Sequence, residues 1–247
     1  MSNISTAHVD NWNRFVQHHM GDWHGDWFEY SPEASIVKTF RCIRSFHLSE
    51  DGEEIAHQNH YMYPDGKEET ETFKPYPKPI AKSLFLDNSF SWGSKLVESE
   101  EDFGFETGFR YEAKRSSLAA IYDESSSLKQ IVAIAETLNE FTEIPTFPKP
   151  EELGQNWQGR LTKIAPNWIV SSPEPTTWQP LAALNPDYRT LYLTNGIALH
   201  CPPQVQPEQE FVLAVDWLVN PNLLHRGIRH FNSSGFKAFT LEVFTRE

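Results

Sequence analysis

Histidine is the residue type in this chain that is best suited to hold a metal ion, and there are ten histidines. His57 and His60 lie three residues apart, a spacing found on metal-binding helices. In an alternating strand, however, side chains three residues apart point to opposite faces, so these two rings should not converge. His18, His19 and His24 have no cysteine or acidic ligand pattern beside them. We therefore predict no metal site.

Carboxylates could serve an enzyme as general acids or bases, and Asp216 is the unusual one, because it lies inside the apolar run FVLAVDWLV at 211–219. Its parity is opposite to that of Phe211 and Trp217, so it either faces solvent or is a buried acid with a partner. Since ionised groups avoid unpaired burial, we expect it to face solvent. The sequence contains no nucleophile elbow, P-loop, dinucleotide fingerprint or Ser/His/Asp pattern, and it assigns no catalytic residue.

Composition excludes several classes of protein. The chain of 247 residues has a formal net charge of −13, which argues against binding to nucleic-acid phosphates. No apolar stretch is long enough to span a bilayer, and residues 1–30 lack the basic start and apolar centre of a secretory signal. Cys42 and Cys201 have no metal-binding or redox spacing, which indicates free, buried thiols in a reducing compartment. We expect a soluble protein of the cytoplasm, or of the plastid stroma in a eukaryote.

One short helix is predicted near the start of the chain. Val9, Trp12, Val16 and Met20 follow the spacing of three to four residues that places side chains on one helical face. The helix should end at Gly21, because glycine has no side chain and so readily adopts the backbone conformation that terminates a helix.

Beyond this helix the apolar residues follow the period of two that is typical of β-strands, most clearly in 40–48, 103–111 and 211–217. Turn sequences separate the strands, at Pro64-Asp65-Gly66 and at Asn195-Gly196, where residues tolerate the positive φ of tight turns. Many short strands with closely spaced turns predict an all-β chain, a sandwich or a barrel, with little room for βαβ units.

A duplication is indicated by two landmarks that recur in the same order. The first is Trp-x-Gly, at 23–25 in GDWHGDW and at 157–159 in GQNWQGR. The second begins with Gly-apolar-Arg, at 108–110 in GFRYEAKRSS and at 227–229 in GIRHFNSSGF. Because surface loops lengthen at little cost in entropy, the two copies can differ in length.

Between the copies lies a proline-rich stretch, in which Pro145, Pro148 and Pro150 favour an extended linker. A second proline-rich stretch, 173–186, is interpreted as a long loop within the second copy. The predicted divisions are 1–140 for a first domain with its helix, 141–153 for the linker and 154–247 for a second, shorter domain.

The residues Gly21-Asp22-Trp23 resemble the Gly-x-Trp signature that opens the first strand of lipocalins after a short N-terminal helix. The wider string HHMGDWHGDWFEYSP, at 18–32, together with Arg110-Tyr111, is similar to a lipocalin-like family from cyanobacteria and plastids. That resemblance implies two antiparallel calycin-type β-barrels in tandem. The second copy departs from the signature, since two residues separate Gly154 from Trp157.

The resemblance also implies a structural role for four residues. In lipocalins the opening tryptophan closes one end of the barrel, and an arginine from a late strand lies across its ring. By resemblance, Trp23 pairs with Arg110 and Trp157 pairs with Arg229. Such a cation–π contact stabilises a protein by about 0.5–2 kcal/mol, depending on how far the pair is removed from water.

The interior of an eight-stranded barrel is either filled by side chains or just wide enough for one small ligand. Ligand contacts would come from inward-facing aromatic and histidine side chains, and plain core packing is the alternative for each of them. The candidates in the first domain are Phe46, His60, Tyr61, Phe85 and Trp92. The candidates in the second domain are Tyr192, His200, Trp217 and His225.

The expected function is the binding of a small hydrophobic ligand, such as a pigment, a tetrapyrrole or a lipid. One alternative is a lipocalin-like enzyme, a lyase or isomerase that acts on a bilin, a carotenoid or a lipid. Another is an interaction scaffold whose interior holds no ligand. No cofactor is predicted, with haem as an alternative: nitrobindin-like calycins bind it through a late histidine, and His225 and His230 are late enough but have opposite strand parity.

Overall fold

The computed structural model of the chain describes residues 6–143, 145–154 and 156–246. A single α-helix, α1, spans Thr6–His19, and it buries Trp12, Phe15 and His19 on one face. The chain then turns at Gly21, whose φ of 114° lies in a region that side chains disfavour. The predicted helix is thus present. In the described part of the chain, no helix has the length and apolar character needed to cross a membrane.

The first half of the chain forms one antiparallel sheet of ten strands. The strands are β1 Gly21–Tyr30, β2 Ile36–Leu48, β3 Glu54–Met62, β4 Glu68–Thr72, β5 Tyr76–Pro77, β6 Ser83–Leu86, β7 Ser89–Gly93, β8 Phe103–Tyr111, β9 Lys114–Tyr122 and β10 Leu128–Leu138. Their order is β4-β3-β2-β1-β10-β9-β8-β7-β6, and β5 pairs with β3. The first and last long strands, β1 and β10, are therefore neighbours, and β4 and β6 form the two edges.

The second half forms an antiparallel sheet of seven strands in the order β12-β11-β17-β16-β15-β14-β13. The strands are β11 Gln158–Ile164, β12 Glu174–Thr177, β13 Arg189–Tyr192, β14 Ile197–Cys201, β15 Phe211–Asn220, β16 Leu223–Asn232 and β17 Gly235–Thr245. Short 3₁₀ helices occur at Pro150–Leu153, Leu181–Ala183 and Thr194–Gly196. The prediction of a mostly β chain with a short N-terminal helix and two antiparallel sheets is confirmed.

The proline-rich stretch 141–153 lies between the last strand of the first sheet and the first strand of the second, and residue 144 of it is outside the described residues. The two predicted turns also lie between strands. Gly66 has a φ of 84° between β3 and β4, and Asn195 has a φ of 60° between β13 and β14. Cys42 and Cys201 are both buried and free.

The two sheets pack face to face through one hydrophobic layer, which we call the seam. Phe103 and Phe109 on β8 meet Phe211 and Trp217 on β15, with the Phe103 and Phe211 ring centroids 5.9 Å apart. Because the opposite face of β8–β10 lines the interior of the first sheet, these strands are buried on both sides. That interior has a separate cluster of buried residues, built from α1 and the inward side chains of the sheet.

Candidate ligand-binding cavity

The first sheet curls around a cavity of about 450 Å³. Side chains from α1 and from most strands of the sheet line it, which requires the strands to bend around a common centre. The cavity wall is largely aromatic, and its aromatic members are Phe15, Trp27, Phe46, Tyr61, Phe73, Tyr76, Phe85, Phe90 and Trp92. Trp92 is 47% exposed and so reaches from the wall to the surface.

A cluster of four charged side chains is buried beside this cavity. Glu136 on β10 accepts from Nε and Nη2 of Arg44 at 3.0 and 2.9 Å, and from Nε of Arg115 at 2.6 Å. Glu106 on β8 accepts from Nη1 of Arg44 at 3.2 Å and from the Trp92 indole at 2.7 Å. All four charges are at most 6% exposed and compensate one another, as buried charges must.

The charge cluster keeps Glu136 ionised. Burial by itself raises the pKa of this carboxyl. Arg115 and Arg44 lower the pKa by more than burial raises it, so that it lies below its ordinary value of 4.5. The two arginines and two acidic residues of the cluster have a formal net charge of zero.

A row of polar side chains runs along β3 on another part of the cavity wall. Tyr76 donates to Nδ1 of His57 at 3.0 Å, and Nε2 of His57 donates to Oδ1 of Asn59 at 3.0 Å. The Asn59 amide donates to Tyr61 at 2.8 Å, and Tyr61 donates to Glu71 at 3.1 Å. Since burial and the nearby Arg44 lower the pKa of His57 to about 3, its ring is neutral and can accept from Tyr76.

His19, at the end of α1, lies between the Phe85 and Phe90 rings at 5.3 and 5.2 Å and is 1% exposed. Burial and the neighbouring Arg115 lower its pKa well below 6.5, so this side chain is also neutral. The cavity thus combines aromatic walls, neutral hydrogen-bonding groups and one compensated charge cluster. This arrangement can hold an apolar molecule and orient a single polar group on it.

Comparison with known proteins identifies a family for the chain. The model of Domain of unknown function (DUF3598), N-terminal, matches residues 8–141, which include most of α1 and the whole first sheet. This chain belongs to the DUF3598 family. The model of the C-terminal domain of Biogenesis factor required for ATP synthase 1 matches residues 181–243 of the second sheet. A search of curated proteins gave no match.

A solved structure of a DUF3598 protein from Nostoc punctiforme shares the fold, with a TM-score of 0.78 and 20% identity, over 96% of this chain and 99% of the other. Its description gives its function as unknown. A putative outer membrane protein from Bacteroides fragilis aligns with 98% of this chain and all of its own at 8% identity, with a TM-score of 0.27.

In this DUF3598 protein, four of the residues expected to line the first cavity do so: Phe46, Tyr61, Phe85 and Trp92. His60 does not. It lies on the opposite face of β3, where Nδ1 contacts the Thr70 hydroxyl at 3.0 Å. The correction follows from strand geometry, because His60 and Tyr61 are adjacent and cannot both point inward. His57 occupies the inward position instead.

The four residues proposed for a second cavity do not come together. Trp217 and His225 face the seam, with their ring centroids 5.9 Å apart and the Phe109 ring beside both. His200 and Tyr192 lie on the other face, where His200 Nδ1 contacts Thr190 at 2.8 Å and the Lys149 ammonium lies 4.6 Å from the Tyr192 ring centre. Packing against the first sheet makes Trp217 and His225 core residues.

Trp23 is completely buried, and its indole donates to the His19 carbonyl at 3.0 Å. The Arg110 guanidinium lies 5.4 Å from the centre of the Trp23 ring, as the resemblance implied, but Arg115 is closer, at 4.3 Å. Sequence reasoning missed Arg115. It lies opposite Glu136 in the β9–β10 pairing, and it is one of the two arginines of the charge cluster.

The expected pairing of Trp157 with Arg229 is wrong. Arg246 lies over the Trp157 ring at 5.7 Å, whereas Arg229 points into the seam and donates to the Ser91 hydroxyl at 2.8 Å. The expectation that Asp216 faces solvent is also wrong. Its side chain is 2% exposed and accepts hydrogen bonds from Nε and Nη2 of Arg226, at 2.7 and 2.8 Å. It takes the second of the two alternatives, a buried acid with a partner.

Arg44 and Glu136 were missed as well, although the sequence contains a signal for them. Arg44 has the parity of Phe40, Cys42 and Phe46 on β2, and so it is a charged residue at an inward position. No group of three or more His, Cys, Asp or Glu side chains suited to a metal ion occurs within residues 6–143, 145–154 and 156–246.

Proposed function

We propose that this DUF3598 protein binds a small hydrophobic ligand inside its first sheet. The observation that carries the proposal is the aromatic cavity of about 450 Å³, which is in the range of about 300–1,000 Å³ typical of ligand pockets. The resemblance of Gly21-Asp22-Trp23 to the lipocalin signature supports the same proposal, because lipocalins hold their ligands inside a curled antiparallel sheet.

The electrostatics of the cavity favour an uncharged ligand. Glu106 and Glu136 already compensate the charges of Arg44 and Arg115, so a ligand carboxylate would add a buried negative charge that no further cation of this cluster balances. The hydroxyl oxygen of Tyr76 can still accept a hydrogen bond while it donates to His57. A neutral lipid or a carotenoid-like pigment with a hydroxyl or carbonyl group therefore suits the site better than a tetrapyrrole with propionates.

Filling the cavity tests the proposal. Ala119 on β9 lines the cavity, and Ala119→Trp would place an indole in the ligand space. We expect this variant to bind the neutral dye Nile red at least about 10-fold more weakly in a fluorescence titration, because the dye loses the volume in which it is removed from water. The matched control is Ala56→Trp, the same change at an exposed position of β3, which should leave the dissociation constant unchanged.

Competition identifies the class of ligand. A long-chain alcohol should displace Nile red from the wild-type protein more effectively than the fatty acid of the same chain length. Equal dye binding by the Ala119→Trp and Ala56→Trp variants would exclude the cavity as the site. Stronger displacement by the fatty acid would leave the cavity as the site but reject a neutral ligand.

A second candidate function is protein binding during the assembly of a complex. It is favoured by the match of residues 181–243 to the C-terminal domain of Biogenesis factor required for ATP synthase 1, whose name states that it is needed for the biogenesis of a protein complex. Co-elution of this chain with purified ATP synthase subunits in size-exclusion chromatography would support it. Separate elution of all subunits at micromolar concentrations would count against it.

A further inference from the structure

We propose that a small monovalent anion, such as chloride, binds at Arg229 in the seam between the two sheets. Arg229 lies on β16 on the face that packs against the first sheet, and it is 2% exposed. Its guanidinium donates to the Ser91 hydroxyl at 2.8 Å and to the Ser94 carbonyl at 2.9 Å. Both acceptors are uncharged, so neither compensates the positive charge.

Arg229 differs in this respect from the other deeply buried arginines. Arg44, Arg115 and Arg226 each have a carboxylate oxygen at 2.6–2.9 Å. Across the described ranges, 6–143, 145–154 and 156–246, no carboxylate lies within 4.0 Å of Arg229, and its Nε has no hydrogen-bond acceptor. Burial of an uncompensated charge strongly opposes folding, which makes a bound counter-ion favourable.

The charge cannot be removed by deprotonation at neutral pH. Burial lowers the pKa of Arg229 to about 9, so the guanidinium is still protonated at pH 7. The centres of the Phe236 and Phe231 rings lie 4.6 and 5.5 Å from the guanidinium. They compensate only part of its positive charge, because a ring quadrupole attracts a cation less strongly than a full negative charge does.

A small cavity adjoins Arg229, and its charge suits an anion. Its volume of about 10 Å³ is about that of one water-sized sphere, which excludes sulfate or phosphate and requires the exposed lysine side chains at its mouth to shift slightly for a halide. The charged residues that line it are Arg229, Lys82 and Lys95, all of them cationic. Both lysines are exposed, so this end of the seam opens to solvent and attracts anions.

Thermal unfolding at constant ionic strength tests the site. In sodium chloride or bromide, at several times the dissociation constant, the wild-type protein should melt about 2–4 °C higher than in sodium gluconate, whose anion is too large for the cavity. Arg229→Gln should abolish this difference. Arg160→Gln, the same change at an exposed position of β11, should retain it and so controls for general salt effects.

A direct measurement does not depend on the folding of the variant. Crystals of the wild-type protein grown in sodium bromide should show an anomalous scattering peak within hydrogen-bonding distance of the Arg229 guanidinium. Identical melting temperatures in chloride and gluconate, or no bromide peak at Arg229, would overturn the proposal. A peak without halide-specific stabilisation would mean binding at crystal concentration only, and would also overturn it.

Discussion

At the scale of single residues, Glu136 is the carboxylate on which the interior charges of the first sheet depend. It accepts hydrogen bonds from both Arg44 and Arg115, and it is 4% exposed. Without this carboxylate, two buried guanidinium groups would share Glu106 alone. The removal of one partner from a buried ion pair is strongly destabilising, because it leaves a charge that neither water nor protein compensates.

We therefore expect Glu136→Gln to lower the free energy of unfolding by about 3 kcal/mol at pH 7, measured by urea denaturation. Because the folded pKa of Glu136 lies below 4.5, its contribution is complete above pH 4.5 and is lost as the pH falls through the folded value. The difference in the free energy of unfolding between the wild type and the variant should thus become smaller as the pH falls below 4.5.

The matched control for this variant is Asp26→Asn, which breaks the exposed ion pair with Arg41, and it should cost at most about 1 kcal/mol. The free energies of unfolding of the wild-type and Glu136→Gln proteins could instead differ by a constant amount down to pH 3. That result would show that Glu136 does not stabilise the fold as an anion.

Residue-level prediction from the sequence succeeded where alternation decides a face and failed where the choice of face needs the tertiary structure. The parity of Phe46 and Phe85 places them on the cavity wall as expected. Trp217 and His225 do share a face, but that face packs against the first sheet rather than around a ligand. Alternation shows that a strand has two faces and does not show what covers each of them.

At the scale of secondary structure, α1 is held against the first sheet by the side chain of Asn11. Its amide donates to the carbonyls of Ile80 and Ser83 at 3.3 and 3.0 Å, and its oxygen accepts from the Phe85 backbone N–H at 2.8 Å. The residue is completely buried. One side chain thus satisfies three backbone groups on and before β6, at an edge of the sheet.

Asn11→Ala should lower the free energy of unfolding by about 2–4 kcal/mol, because buried backbone groups would lose their partners. Hydrogen exchange followed by mass spectrometry should show faster exchange in α1 and in 80–86 than in the remainder of the chain. Asn13→Ala removes an amide from the exposed face of the same helix and should change neither quantity appreciably. Uniformly faster exchange in the Asn11 variant would contradict a local anchoring role.

The secondary structure itself was largely predictable. Apolar spacing indicated α1, and period-two alternation indicated the long strands, because both patterns follow from local backbone geometry. The position of α1 against β6 was not predictable, since it depends on a contact between Asn11 and Phe85, 74 residues apart. An asparagine on the largely apolar face of a helix is the signal that such a contact leaves in a sequence.

At the scale of the whole molecule, the approach of the two sheets depends on Gly227. A Cβ atom at this position would lie 2.7 Å from Thr107 Cγ2 and 2.9 Å from a ring atom of Phe239. Thr107 belongs to the first sheet and Phe239 to the second, and both are completely buried. Gly227 thus permits a contact that a side chain would prevent.

Gly227→Ala should lower the free energy of unfolding by about 1–3 kcal/mol, because an extra methyl group overpacks the seam. Gly104→Ala is the control: its Cβ would meet no atom closer than 3.7 Å, and it should be neutral or slightly stabilising. Thermal denaturation of both variants measures the difference. Equal stability of the two variants would show that the seam accommodates a methyl group without cost.

The seam also explains why the sequence suggested a simpler arrangement than the structure shows. Two copies of a motif predict two similar units, but the shared layer gives β8–β10 a second buried face. Contacts between distant parts of a chain leave no periodic signal, so local pattern analysis does not detect them.

The seam has a practical consequence for experiments that test ligand binding. A truncated version that stops near residue 140 would bare Phe103, Phe109 and Leu118, which the second sheet normally shields. Such an exposed hydrophobic surface would promote self-association and bind dyes nonspecifically. Ligand screens should therefore use the full-length chain, even though residues of the first half alone line the cavity.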